Sequence, residues 1–156
     1  MHKSYTIVKI KTGENMNYNK LAFIRDSLEM YQKDVAEILK ISKSQFSRWE
    51  IGEDIIPIKY LIKLCNLSKF SLDFALGLSE DRTIIEEDIV LDYNKIGNKI
   101  KQIRTVRKLS QREFGKTLNT SHTTIYKCEK GLEKNLTSIL IDIAKTYNVS
   151  IDWICK

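Results

Sequence analysis

Few residues of this 156-residue chain could perform chemistry together. Its two histidines, His2 and His122, lie far apart, and its three cysteines, Cys65, Cys128 and Cys155, form no C-x-x-C pair. An odd number of widely spaced thiols argues against a disulfide framework and against a zinc site. Reduced thiols, with Cys65 and Cys128 packed as small hydrophobes, are the expectation. No nucleophile–His–carboxylate set, Gly-rich phosphate loop or metal cluster can be assembled, so the sequence reads as a non-enzyme with no cofactor. What it does concentrate is positive charge. Residues 94–156 carry 13 basic against 5 acidic groups, whereas 18–76 carry 9 against 8 and 77–93 carry 1 against 6. The C-terminal part is a candidate for binding a polyanion, and the stretch before it is an acidic connector.

The elements that must position these charges are helices. Apolar residues make up 42% and charged residues 29%, a globular composition, and one Pro with six Gly disfavours a turn-rich all-β protein. No apolar run approaches the ~18 residues of a membrane span. The N-terminus MHKSYTIVKIKTGENM has no signal-peptide h-region, so a cytoplasmic location is expected.

The chain also repeats itself. Sliding it by 79 residues places Asn19, Lys20, Ile24, Arg25, Gln32, Leu39, Ser42, Glu50, Gly52, Ile62, Ser71 and Asp73 on Asn98, Lys99, Ile103, Arg104, Gln111, Leu118, Ser121, Glu129, Gly131, Ile141, Ser150 and Asp152. Each repeat predicts five short helices. In the second, Ile96, Ile100 and Ile103 mark a helix near 94–107. Ser110 with Glu113 forms a capping box, and Asn119 suits the left-handed residue that closes the helix after it. Ser121 opens a third helix that ends near Glu129, with Gly131 as its stop. Leu136, Ile139, Leu140 and Ile143 mark a fourth, and Ser150 starts a fifth. In the first repeat Ser42 with Gln45 predicts a capping box, Gly52 a stop, and Pro57 the start of the fourth helix.

Two helices joined by a tight turn, the second opened by Ser, make a helix-turn-helix. At I-R-x-x-R-K-L-S-Q-R-E-F-G-K-T-L-N-T-S-H-T-T-I-Y-K-C-E-K-G, and at Q-K-D-V-A-E-I-L-K-I-S-K-S-Q-F-S-R-W-E-I-G, the chain resembles the Cro/cI-type (XRE) helix-turn-helix domains of bacterial and phage regulators. The resemblance implies an all-α fold of two tandem lambda-repressor-like five-helix domains, 18–76 and 94–156, joined by the acidic linker 77–93. The linker carries a T-x-x-E signal at Thr83 and Glu86 that predicts a helix packing Ile84, Ile85 and Ile89. Residues 1–17 are expected to form an N-terminal arm, and 4–12, rich in β-formers, a short strand or part of that arm.

By the same resemblance Arg25 with Glu50, and Arg104 with Glu129, are internal ion pairs. Ala36 and Gly115 are small because two helices approach closely. Phe46, Trp49, Ile125 and Cys128 belong to the core, as does Trp153. The outward residues of each third helix would meet base edges in the DNA major groove: Lys43, Ser44 and Arg48 in the first repeat, and His122, Thr123, Tyr126 and Lys127 in the second. Gln32 and Gln111 would touch backbone phosphate and brace that helix, and Lys130 would reach a phosphate. The first repeat departs from the pattern at Tyr31, Lys40, Glu53 and Asp54, the last two placed where they would repel phosphate. The implied function is a sequence-specific double-stranded DNA-binding regulator, acting as a homodimer and, with no separate activation module visible, as a repressor. The alternative is a protein-interaction module in which the first domain pairs with a protein partner.

Overall fold

The computed structural model describes residues 19–156; the expected arm and its strand at 4–12 lie outside the described residues. The first repeat comprises α1 (Leu21–Ser27), α2 (Gln32–Leu39), α3 (Lys43–Glu50), α4 (Ile58–Ser68) and α5 (Leu72–Ala75). The second comprises α6 (Tyr93–Val106), α7 (Gln111–Thr117), α8 (His122–Glu129), α9 (Thr137–Tyr147) and α10 (Ile151–Cys155). Among the described residues the fold is all-α, two tandem five-helix helix-turn-helix units.

Side-chain caps set the boundaries. Ser42, Ser71, Ser110, Ser121 and Ser150 each accept a hydrogen bond from the backbone N–H three residues on, at 3.0–3.2 Å. A cap of this kind stabilises by about 1 kcal/mol. Ser110 and Glu113 close a full reciprocal box, with the Ser110 N–H donating to the Glu113 carboxylate at 2.7 Å. Tyr31 stands where that serine would be, and Asp34 recovers half of the arrangement by accepting from the Tyr31 N–H at 2.8 Å. The Ser42–Gln45 box forms only in part, because the Gln45 side chain turns away to Asp54. Lys40 and Asn119 both adopt the left-handed conformation, at φ 57° and 51°, that turns the chain towards the next helix.

Equivalent positions fill equivalent cores. Leu21, Ile24, Val35, Phe46, Leu61 and Leu64 are buried in the first repeat, and their counterparts Ile100, Ile103, Phe114, Ile125, Leu140 and Ile143 in the second. Val35 beside Phe46 becomes Phe114 beside Ile125, so the bulky ring changes sides while the pair keeps a similar volume. A Cβ on Gly115 would stand 2.7 Å from the Thr120 carbonyl oxygen, which is why this position is small. Burial pushes the Cys128 and Cys155 thiols up to about 12 and raises Cys65 as well.

Two further expectations are corrected. The 77–93 linker contains no helix before Tyr93. Thr83 spends both its N–H and its hydroxyl on Asp81, at 2.9 and 2.6 Å, instead of capping forward. Three successive acids, Glu86, Glu87 and Asp88, also make a poor helical turn. The linker runs extended along the first repeat, where Asn66 pairs with both the N–H and the carbonyl of Ile89 at 2.9 Å. The Ile85 N–H donates to the Lys69 carbonyl at 2.7 Å, burying Ile85 and Ile89 but leaving Ile84 exposed. Trp153 is not core either: it is 40% exposed, with the Lys99 ammonium 3.9 Å from its ring centre.

The two repeats also meet. The buried apolar residues continue from one repeat into the other, where α5 meets α10. Asp152 accepts from the Leu72 and Asp73 N–H groups, both at 3.0 Å. Asp73 accepts from the Ile151 N–H at 2.8 Å and from the Asp152 N–H at 3.4 Å. Each carboxylate thus satisfies the free N–H groups that open the other repeat's short last helix. Burial, and the neighbouring Asp73 carboxyl, push Asp152 up to about 6.

Since the unfolded value for Asp is about 3.9, the folded chain binds this proton more tightly than the unfolded one. Stability therefore rises as the pH falls through about 6 towards 4, and is lost as the pH rises back through the folded value. Urea midpoints at pH 7.5 and pH 5 should show this rise, and Asp152→Asn should flatten it. A midpoint that falls over the same interval would contradict the assignment.

Candidate nucleic-acid interface

The two recognition-helix candidates, α3 and α8, are oriented by one device used twice. Glu129, the last residue of α8, is buried, and its carboxylate receives Arg104 Nε at 2.5 Å and Arg104 Nη2 at 3.1 Å. The same guanidinium donates to the Leu109 carbonyl at 2.8 Å, and Gln111 Nε2 reaches the second carboxylate oxygen at 2.9 Å. In the first repeat Arg25 Nε meets Glu50 at 2.5 Å, Arg25 Nη1 meets the Met30 carbonyl at 3.1 Å, and Gln32 Nε2 meets Glu50 at 2.7 Å. One carboxylate thereby ties the first, second and third helices together. Burial pushes Glu129 up, but the hydrogen bonds from Arg104 and Gln111 outweigh it and hold the carboxyl below the usual range.

With the inner face held, the opposite face is left to solvent. Phe46 and Trp49 on α3, and Ile125 and Cys128 on α8, point inward and are buried. Lys43, Ser44 and Arg48 are exposed on α3; His122, Thr123, Tyr126 and Lys127 are exposed on α8, with Lys130 at its C-terminal cap. Gln32 and Gln111 open α2 and α7, half-buried between their glutamates and solvent.

The two faces differ in how far their cations are already engaged. Arg48 lies 3.0 Å from Asp54 and 3.5 Å from Glu53, and Gln45 also donates to Asp54 at 3.4 Å. The corresponding residues of the second repeat are Leu132, which carries no charge, and Glu133, which accepts from the Asn135 N–H at 2.9 Å. Lys127 and Lys130 make no ion pair among the described residues. Lys134, which charge alone would add to this surface, instead donates to the Gly131 carbonyl at 3.0 Å and lies over the Tyr93 ring. The acidity of Glu53 and Asp54 is visible in the sequence; their hold on Arg48 is not, since it depends on the turn after α3 folding back.

A family model described as helix-turn-helix matches residues 21–74 and, a second time, residues 100–154. The chain belongs to the Cro/cI-type helix-turn-helix family. It is a DNA-binding regulator of that type, carrying the domain twice. No curated protein and no solved structure shows a significant match. Among the described residues no helix is long and apolar enough to cross a membrane, and no group of three His, Cys, Asp or Glu side chains is placed to hold a metal ion.

Removing one partner of a buried ion pair leaves the other charge uncompensated, at about 3–5 kcal/mol. Glu129→Ala should therefore unfold the second helix-turn-helix domain at correspondingly lower urea, whereas Gln111→Ala should cost about 1 kcal/mol. Equal, small losses from the two variants would show that Glu129 does not hold the three helices together.

Proposed function

We propose that this helix-turn-helix protein represses transcription by laying α8 in the major groove of duplex DNA, with α3 as a weaker second reader. The observation that supports the reading is the unequal engagement of the two outer faces. Lys127 and Lys130 are exposed and make no ion pair among the described residues, while Arg48 is held on Asp54 and Glu53. A cation already paired within its own domain must give up that pairing to meet a base or a phosphate. One that is solvated need only shed water and counterions. In this reading Lys127 donates to the O6 and N7 acceptors of guanine, Thr123 and His122 read neighbouring edges, and Tyr126 packs beside them. Gln111, Lys130 and the N-terminus of α7 meet phosphates. Lys43, Ser44 and Gln32 make the corresponding, weaker contacts in the first domain.

A second reading is a protein partner on the first domain. Ile51 and Ile55, 42% and 44% exposed, flank the acidic turn and give that surface an apolar element that a phosphate-facing surface does not need.

Binding to a duplex obtained by in vitro selection should weaken with salt at a slope of roughly −4 to −8 per chain, from about −0.9 for each phosphate neutralised. Lys127→Ala should cost about 1–3 kcal/mol and relax preference at one base position, while Lys130→Ala should weaken all sequences evenly and make the slope shallower by about one. Arg48→Ala should cost less than Lys127→Ala, and Asp54→Ala, by releasing Arg48, should tighten binding. A flat salt titration, or Asp54→Ala weakening the complex, would favour the protein partner.

A further inference from the structure

The hydrogen bonds between α5 and α10 are exchanged in kind. Asp152 takes the Leu72 and Asp73 N–H groups; Asp73 takes those of Ile151 and Asp152, which are the same positions one repeat later. Contacts in which position i meets position j and j meets i are isologous, the pattern that a two-fold axis generates. Two further cross-repeat bonds are not returned: the Ser150 hydroxyl donates to Asp73 at 2.5 Å, and Thr137 makes the other. The Thr137 hydroxyl donates to the Ile56 carbonyl at 2.7 Å, and the equivalent of Thr137 is Ile58, which has no hydroxyl to return the bond. The four exchanged bonds have the pattern of a local pseudo-two-fold axis between the openings of α5 and α10, which would relate α3 to α8.

The seam is built as a fixed joint. Leu72, Leu76, Ile151, Ile154 and Cys155 are buried on its two sides, and Cys65 of the first repeat is buried as well. The linker that leads into the second repeat is itself bonded to the first through Asn66 and Lys69. Duplex DNA has two-fold symmetry in its backbone, so readers related by such an axis suit two half-sites about one helical turn apart, roughly 34 Å.

We propose that one chain is a covalently joined pseudo-dimer that grips a single duplex through two unequal half-sites, the stronger under α8 and the weaker under α3. This rests on the reading of the chain as a duplex binder. The homodimer that the family resemblance implies is then not needed, because the second reader is supplied within the chain. The two half-sites differ as the outer faces differ, so the operator is an imperfect palindrome. The seam, rather than linker length, sets the spacing.

The test uses the full chain and duplexes selected from a random library. One chain per duplex is expected by native mass spectrometry, with two protected segments about one turn apart on the same face. Inserting five base pairs between them should weaken binding about tenfold or more, because the tethered second contact is lost. Inserting ten should do the same, since a fixed joint cannot stretch by a turn. The pair Asp73→Ala with Asp152→Ala should keep the α8 half-site, lose protection of the other and become indifferent to spacing. Cys65 and Cys155 should then react with a thiol reagent. If that variant loses its helical circular dichroism, the spacing series on the native chain decides alone. Two chains on a symmetric palindrome, or one protected segment unaffected by either insertion, would overturn the proposal while leaving duplex binding intact. Failure to bind any duplex at low salt would overturn the duplex reading, and this proposal with it.

Discussion

A buried carboxylate at the end of a helix is an unfavourable place for negative charge, and in this chain it occurs twice. Glu50 and Glu129 close α3 and α8, where the helix dipole is already negative and water is largely excluded. Each is tolerable only because a guanidinium from the first helix and an amide from the second converge on it. The geometry follows from that requirement. Arg25 and Arg104 must lie across the turn that leads into α2 and α7, and Gln32 and Gln111 must open those helices facing inward. Set against an apolar replacement, such a pair contributes little net stability. What it contributes is a fixed direction for the third helix, so that Phe46 and Trp49 on α3, and Ile125 and Cys128 on α8, face the core while the outward residues face solvent.

The inner ion-pair device is the same in both repeats, and the differences in charge lie on the outside. Asp54 and Glu53 turn the exposed end of α3 into a neutralised surface, and the extended acidic linker, strapped to the first repeat through Lys69 and Asp88, adds negative charge to the same domain. The second domain keeps its exposed cations on α8 and holds Lys134 on its own backbone. Two copies of one scaffold thus present unlike electrostatic faces, while the seam between α5 and α10 keeps them in one relation.

Local chemistry was legible in the sequence, and non-local chemistry much less so. The serine caps, the stops at Gly52 and Gly131, and Pro57 ahead of α4 are decided within a few residues, which is why the helices lie close to where they are expected. Gln45 was misread because its side chain has two suitors, its own cap and Asp54, and only the fold of the following turn decides between them. The linker carried a helix-start signal at Thr83 that lost to the nearer carboxylate of Asp81. Trp153 reads as core by its size and its register with Phe74, yet it ends at the surface beneath Lys99. Asp73 and Asp152 were visible as an identity between the repeats. That they cap each other's helices is a fact about how the repeats meet, and no spacing along the chain encodes it.

The most direct measurement of the account is an amide chemical-shift map of the full chain as a short duplex is added at low salt. The account predicts that the largest shifts fall on residues 122–130 and on the first turn of α7, with smaller ones on α3 and its acidic turn. Shifts concentrated on residues 43–54, with α8 unmoved, would contradict it.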